Sequence, residues 1–160
     1  MISEKKALKI FIRETKKISK FAKKNKINIL IENNVVTKKN LNEFMENPFL
    51  LTNYKSTNYF FKFMPKNVRL LIDVAHLKVS AKTEKLDPVK SIKIMNKYVG
   101  GYHFSDNNGY RDSNSSIKKN SWFLPFIKKD LNYYSIEVYN KSPKQLKNQI
   151  GILNKRLIKF

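Results

Sequence analysis

The stretch "LLIDVAHLKVS" (residues 70–80) decides how this chain is read. Three apolar residues, Leu70, Leu71 and Ile72, run straight into Asp73, and His76 follows three positions later. A short continuous apolar run reads as a buried strand of a parallel sheet. Such a strand ending in a carboxylate and an imidazole raises the question of how the other strands end. "INILI" (27–31) runs into Glu32, "GGY" (100–102) runs into His103 with Ser105 and Asp106 beyond, and "YYSI" (133–136) runs into Glu137. Every predicted strand delivers an acid or an imidazole at or near its carboxyl end.

Taken singly, each residue has a plain structural explanation. An acid after a strand often caps the next helix, as Asp87 does before Pro88, and a lone histidine often packs in a core. Four of four is different, because strand ends at one edge of a parallel sheet converge in space. Three carboxylates gathered there repel one another unless a cation lies between them or protons are taken up. Glu32, Asp73, His103 and Glu137 offer three oxygen ligands and one nitrogen ligand, a set that suits Mn²⁺, Mg²⁺, Co²⁺ or Zn²⁺ in an open site.

Between the strands the pattern is helical. Apolar residues recur at helical spacing from Ser3 to Lys26. "TKKNLNEFMEN" (37–47) starts at the N-cap candidate Thr37 and is closed by Pro48, and "NYFFKFM" (58–64) is closed by Pro65. "DPVKSIKIMNKYV" (87–99) follows "VRLLI" (68–72), and a polar loop (105–120) leads to a short helix over "SWFLPFIKK" (121–129). "YYSIEV" (133–138) is the fourth strand, and a helix over 142–159 follows it. Strand and helix therefore alternate, which predicts an α/β fold with parallel strands and right-handed crossovers in one domain of 160 residues.

Composition narrows the function classes. There is no cysteine, hence no disulfide framework and no thiolate metal site, and only four glycines, with no Gly-rich phosphate loop. No apolar run is long enough to span a bilayer, the first residues do not resemble a secretory or transit signal, and a cytoplasmic location is expected. The net charge of +21 suggests nucleic acid or another anionic partner. Only four of the 33 basic residues are arginine, however, and the lysines are spread over predicted helix surfaces. A solvated lysine-rich surface is the stronger reading, and nucleic acid the weaker.

The segments "ILIEN", "LLIDVAH", "YHFSDNNGYRDSN" and "YSIEV" resemble the second half of the xylose-isomerase-like barrel superfamily, which includes sugar-phosphate isomerases and epimerases and the apurinic endonucleases. The resemblance covers roughly residues 5 to 155, and Asp73-x-x-His76 with His103-x-Ser-Asp-Asn107 are its most specific parts. It implies the carboxyl-terminal half of a (β/α)₈ TIM barrel, about four βα units behind a leading helix (3–26). It implies metal ligation by Glu32, Asp73, His103 and Glu137, with His76 near the substrate or a second metal. Glu32 and Glu137 would also be the catalytic acid and base of proton transfer beside a sugar carbonyl, and His76, Asp112 and Asn114 would bind the sugar or sugar phosphate. Where the endonucleases carry Asp-x-His, this chain has Asp112, Ser113 and Asn114, so one zinc-ligating nitrogen is missing. A DNA phosphodiesterase and an inactive half-barrel are the alternatives.

Four strands are half of a barrel, so the inner sheet face is expected to be apolar and uncovered. The chain would then associate with an amino-terminal half-barrel or with a second copy. Trp122 and Phe123 are expected to cover the barrel mouth or to pack on it.

Overall fold

The predicted alternation is realised as one four-stranded, wholly parallel sheet with strand order 1-2-3-4. The computed structural model describes residues 2–157, and the predicted extension of the last helix over 158–159 lies outside them. The elements are α1 (Glu4–Lys24), β1 (Ile29–Glu32), α2 (Lys38–Phe44), α3 (Tyr54–Phe61), β2 (Val68–Asp73), α4 (Val74–Thr83), α5 (Pro88–Met95), β3 (Val99–Phe104), β4 (Tyr133–Ile136) and α6 (Pro143–Leu157). A single 3₁₀ turn at Leu124–Phe126 stands where a short helix was expected. Pro125 inside it leaves no N–H to continue the ladder. No helix among the described residues is long and apolar enough to cross a membrane.

The termini of these helices follow their sequences. The side chains of Ser3, Thr37, Asn53 and Asp87 each accept a backbone N–H of the first turn of α1, α2, α3 and α5. Thr37 and Asn40 bond reciprocally as a capping box, and Met45 in the left-handed region ends α2. Capped by Asn53, α3 starts at Tyr54, four residues before the predicted stretch, and ends at Phe61.

Helix α4 is the element that periodicity does not reveal. Val74, Ala75, Leu77, Val79, Ser80 and Ala81 are all buried, and only a narrow polar stripe at Lys78 and Lys82 breaks the apolar surface, too little for a clear 3.6-residue rhythm. It also begins directly after β2, with no turn residue between them.

The two faces of the sheet differ. Side chains alternate along a strand, and one set (Ile29 and Ile31, Leu70 and Ile72, Tyr102 and Phe104, Tyr134 and Ile136) belongs to the hydrophobic core beneath the helices. Phe11 of α1 stacks on Phe60 of α3 at 4.6 Å within that core. Phe123 is fully buried there, stacked on Phe104 at 5.5 Å, and Trp122 meets Phe123 edge-on. Both therefore pack on the helix side of the sheet, because an aromatic pair finds its apolar partners there, and not over the strand ends.

The opposite face carries Leu30, Glu32, Arg69, Leu71, Asp73, Gly101, His103, Tyr133 and Ser135, paired across the strands in register. It is mostly polar or small, so the expected apolar inner layer is not there. Arg69 lies flat on this face, donating to the carbonyls of Tyr98 (3.1 Å) and Val99 (2.8 Å). The register slips by one residue between Leu70 and Leu71, with Gly100 as the extra residue on β3. A Cβ at Gly100 would lie 2.6 Å from Arg69 Cβ and 2.8 Å from Leu30 Cδ2, so only glycine fits. Beyond this bulge the register places Asp73 opposite His103. Strands β1 and β4 each have one neighbour among the described residues and leave an open edge.

Candidate metal centre

Glu32 closes β1, Asp73 closes β2, His103 is the fifth residue of β3, and Glu137 follows β4 directly, its N–H donating to Phe104 O at 3.0 Å. Four parallel strands thus bring four side chains to one edge. One ligand atom from each lies within 4.8 Å of every other. His103 Nδ1 is 2.9 Å from Glu137 Oε1 and 3.4 Å from Glu32 Oε1. Ligand atoms sharing an ion at bond lengths of ~2.0–2.2 Å stand roughly 3 Å apart.

Two orphaned atoms define the centre. Asp73 is fully buried, and its Oδ1 accepts the N–H groups of Ala75 and His76 at 2.8 Å each as the N-cap of α4. Its Oδ2 is buried with no hydrogen-bond partner. His103 Nδ1 is likewise buried and unbonded: Glu137 Oε1 is near but not aligned with the ring N–H direction. Close ligand atoms that do not satisfy one another leave lone pairs for a shared ion. Burial raises the Asp73 carboxyl to about 6, as expected for a carboxylate held out of water without a cation. The residues present fit a divalent ion.

Supporting contacts hold these ligands. Asn33 accepts Asp73 N–H at 2.9 Å on Oδ1 and donates from Nδ2 to Asp73 O at 3.2 Å. His103 Nε2 stands 3.4 Å from the Tyr133 hydroxyl, which leaves Nδ1 as the ligand nitrogen. Asn33 escaped the sequence reading; the only signal was a second polar residue directly after Glu32.

His76 is drawn to the centre without being a ligand of it. Its Nδ1 lies 3.0 Å from Asn33 O and 3.5 Å from Glu32 Oε1, and its Nε2 lies 3.1 Å from Asp112 Oδ2. Carbonyl and carboxylate oxygens only accept, so both ring nitrogens carry protons and the ring is a cation. Burial alone would lower its pKa, but the Asp112 hydrogen bond, the Asp73 charge and the Asn33 carbonyl together raise it to about 9. With both nitrogens engaged, His76 has no lone pair for a second metal. Asp112 joins the site through this contact, and its Oδ1 is buried and unpartnered. Asn114 is 4% exposed, its Oδ1 accepts from Ser105 Oγ at 3.1 Å, and its carbonyl accepts from Tyr139 N–H.

Fold and site together define an α/β protein with a candidate divalent-metal centre at the carboxyl edge of a parallel sheet. Comparison of the chain with protein-family models, with curated proteins and with solved structures finds no match.

Proposed function

We propose that this chain is a metal-dependent sugar or sugar-phosphate isomerase or epimerase, working by proton transfer next to a carbonyl, and that its sheet is half of a (β/α)₈ barrel. The observation that carries the reading is the convergence of Glu32, Asp73, His103 and Glu137 with the Asp73 Oδ2 lone pairs left unused. A divalent ion held by these four would polarise a substrate carbonyl and acidify the adjacent C–H. Glu32 and Glu137 come from the two outermost strands, and their side chains are 36% and 37% exposed, so both reach a ligand over the sheet edge. One glutamate, as carboxylate, takes the proton from one face of the carbon, and the other, as carboxylic acid, gives its proton to the opposite face and is left as the carboxylate. The His76 cation commits both ring N–H groups to Asn33 O and Asp112, so it contributes a fixed positive charge beside Glu32 and orients Asp112.

The alternative phosphodiesterase reading needs further zinc ligands. The engagement of His76 with Asp112, and of Asn114 with Ser105, supports a single-ion centre instead. The open edges of β1 and β4 support a partner, either an amino-terminal half-barrel or a second copy, that completes the wall of the site.

The test is isotope exchange. The chain with Mn²⁺, and with its complementary half where one is required, is incubated with ketoses and ketose phosphates in deuterated water. Deuterium should enter at the carbon beside the carbonyl, and Glu137→Gln should stop it. Exchange that persists in Glu137→Gln would remove Glu137 from proton transfer.

A further inference from the structure

We propose that a cavity beside the candidate metal centre is a phosphate subsite, which makes the substrate a phosphorylated sugar. This rests on the carbohydrate reading above. The cavity, of about 570 Å³, lies between the start of α2, the end of α4 and the loop 109–112. Lys38, Lys39, Lys82 and Arg111 line it, and none of the four forms an ion pair among the described residues. The one carboxylate in its wall, Asp112, is already paired with His76. Four cations from three segments around one small cavity form a receptor for a compact anion. Its volume suits a small molecule.

The walls are fixed. Asn107 donates to Ala75 O at 2.9 Å and accepts Gly109 N–H at 2.8 Å, tying the loop to α4, while Lys78 holds Asp106 at 2.7 Å. Gly109 has φ +81°, and a Cβ there would lie 2.9 Å from Lys82 Cδ. The Lys82 ammonium sits 3.5 Å from the centre of the Tyr110 ring. Hydrogen bonding and charge from Lys82, with Lys38 further off, hold the Tyr110 phenol below its ordinary value.

The cavity and the centre share a wall. Asp112 Oδ2 meets His76 Nε2 at 3.1 Å, and His76 Nδ1 lies 3.5 Å from Glu32 Oε1. Asp112 itself lines the cavity, and its Oδ1 is buried without a hydrogen-bond partner. A ligand that reaches both has a carbonyl end at the centre and a phosphate among the cations. The larger basic cavity of about 960 Å³ between the 3₁₀ turn and α6, lined in part by Lys147 and Lys155, provides an internal control.

The experiment titrates the whole chain with inorganic phosphate at fixed ionic strength, with and without Mn²⁺. The exposed-residue variant Lys38→Gln/Lys82→Gln/Arg111→Gln should weaken phosphate binding about tenfold or more. Lys147→Gln/Lys155→Gln should leave it unchanged. Equal weakening by both variants, or by neither, would mean adventitious binding to a basic surface and would overturn the subsite. A ketopentose phosphate should displace inorganic phosphate where the free ketopentose and a short abasic duplex do not. Displacement by the duplex instead would overturn the sugar-phosphate assignment. Retained stabilisation by Mn²⁺ with no phosphate binding removes the subsite alone; phosphate binding with no response to Mn²⁺ removes the metal reading alone.

Discussion

Asp73 divides two tasks between its two oxygens. Oδ1 caps α4, and Oδ2 is left buried and unpartnered in a residue grouped with Glu32, His103 and Glu137. Asparagine caps a helix about as well as aspartate, so Asp73→Asn keeps the first task while removing the buried charge. In metal-free protein the folded-state pKa of about 6, against 3.8 in a free side chain, means that the folded chain holds the proton longer. The stability this group supplies is full below about pH 3.8 and is lost as pH rises to about 6. Metal-free Asp73→Asn should therefore lack that loss and, at neutral pH, be about 1–3 kcal/mol more stable than the parent. Chemical denaturation in a chelator between pH 4 and 7 measures both. At this scale the sequence was most informative, because Glu32, Asp73, His103 and Glu137 each interrupt or end an apolar run. Asn33, the pairing of His76 with Asp112, and the burial of Asn114 were not legible. Each depends on residues far apart in the chain meeting across the sheet edge, and no local pattern records that.

Among the elements, the strands and the proline-bounded helices were readable, since apolar runs, Asp87-Pro88 and Ser142-Pro143 are local signals. Strand β1 begins two residues later than its apolar run, at Ile29, and takes in Glu32. Helix α4 was hidden because most of its surface is buried. The bulge at Gly100 was hidden too, because the pair Gly100-Gly101 reads only as a loose strand start. Yet this bulge sets the register that puts Asp73 beside His103. Gly100→Ala should cost about 1–3 kcal/mol, since its Cβ meets the Cβ of Arg69, which cannot swing aside. In thermal melts that is a fall of about 2–10 °C. A substitution without cost would mean that the strand pairing tolerates another register.

The whole molecule is built on a sheet whose two faces differ. Its apolar side chains lie beneath the helices, and its other face carries the centre, Arg69 and a few small or apolar residues. The α/β class and parallel order followed from alternation of strand and helix; the polar character of the second face did not, because short strands that end in ligands leave few positions for an apolar layer. Surface charge added little to the fold, as a net +21 describes the solvent-facing side chains and not the packing. The central claim is that four strand ends form one divalent-ion centre. It is tested most directly by thermal unfolding of chelated protein titrated with Mn²⁺ and Zn²⁺, beside Asp73→Asn. Binding to the folded state at about a hundred times Kd contributes about 2.7 kcal/mol, so the parent chain should melt about 5–10 °C higher with the ion, and Asp73→Asn should not respond. A melting temperature indifferent to both ions, or an equal rise in Asp73→Asn, would contradict the claim.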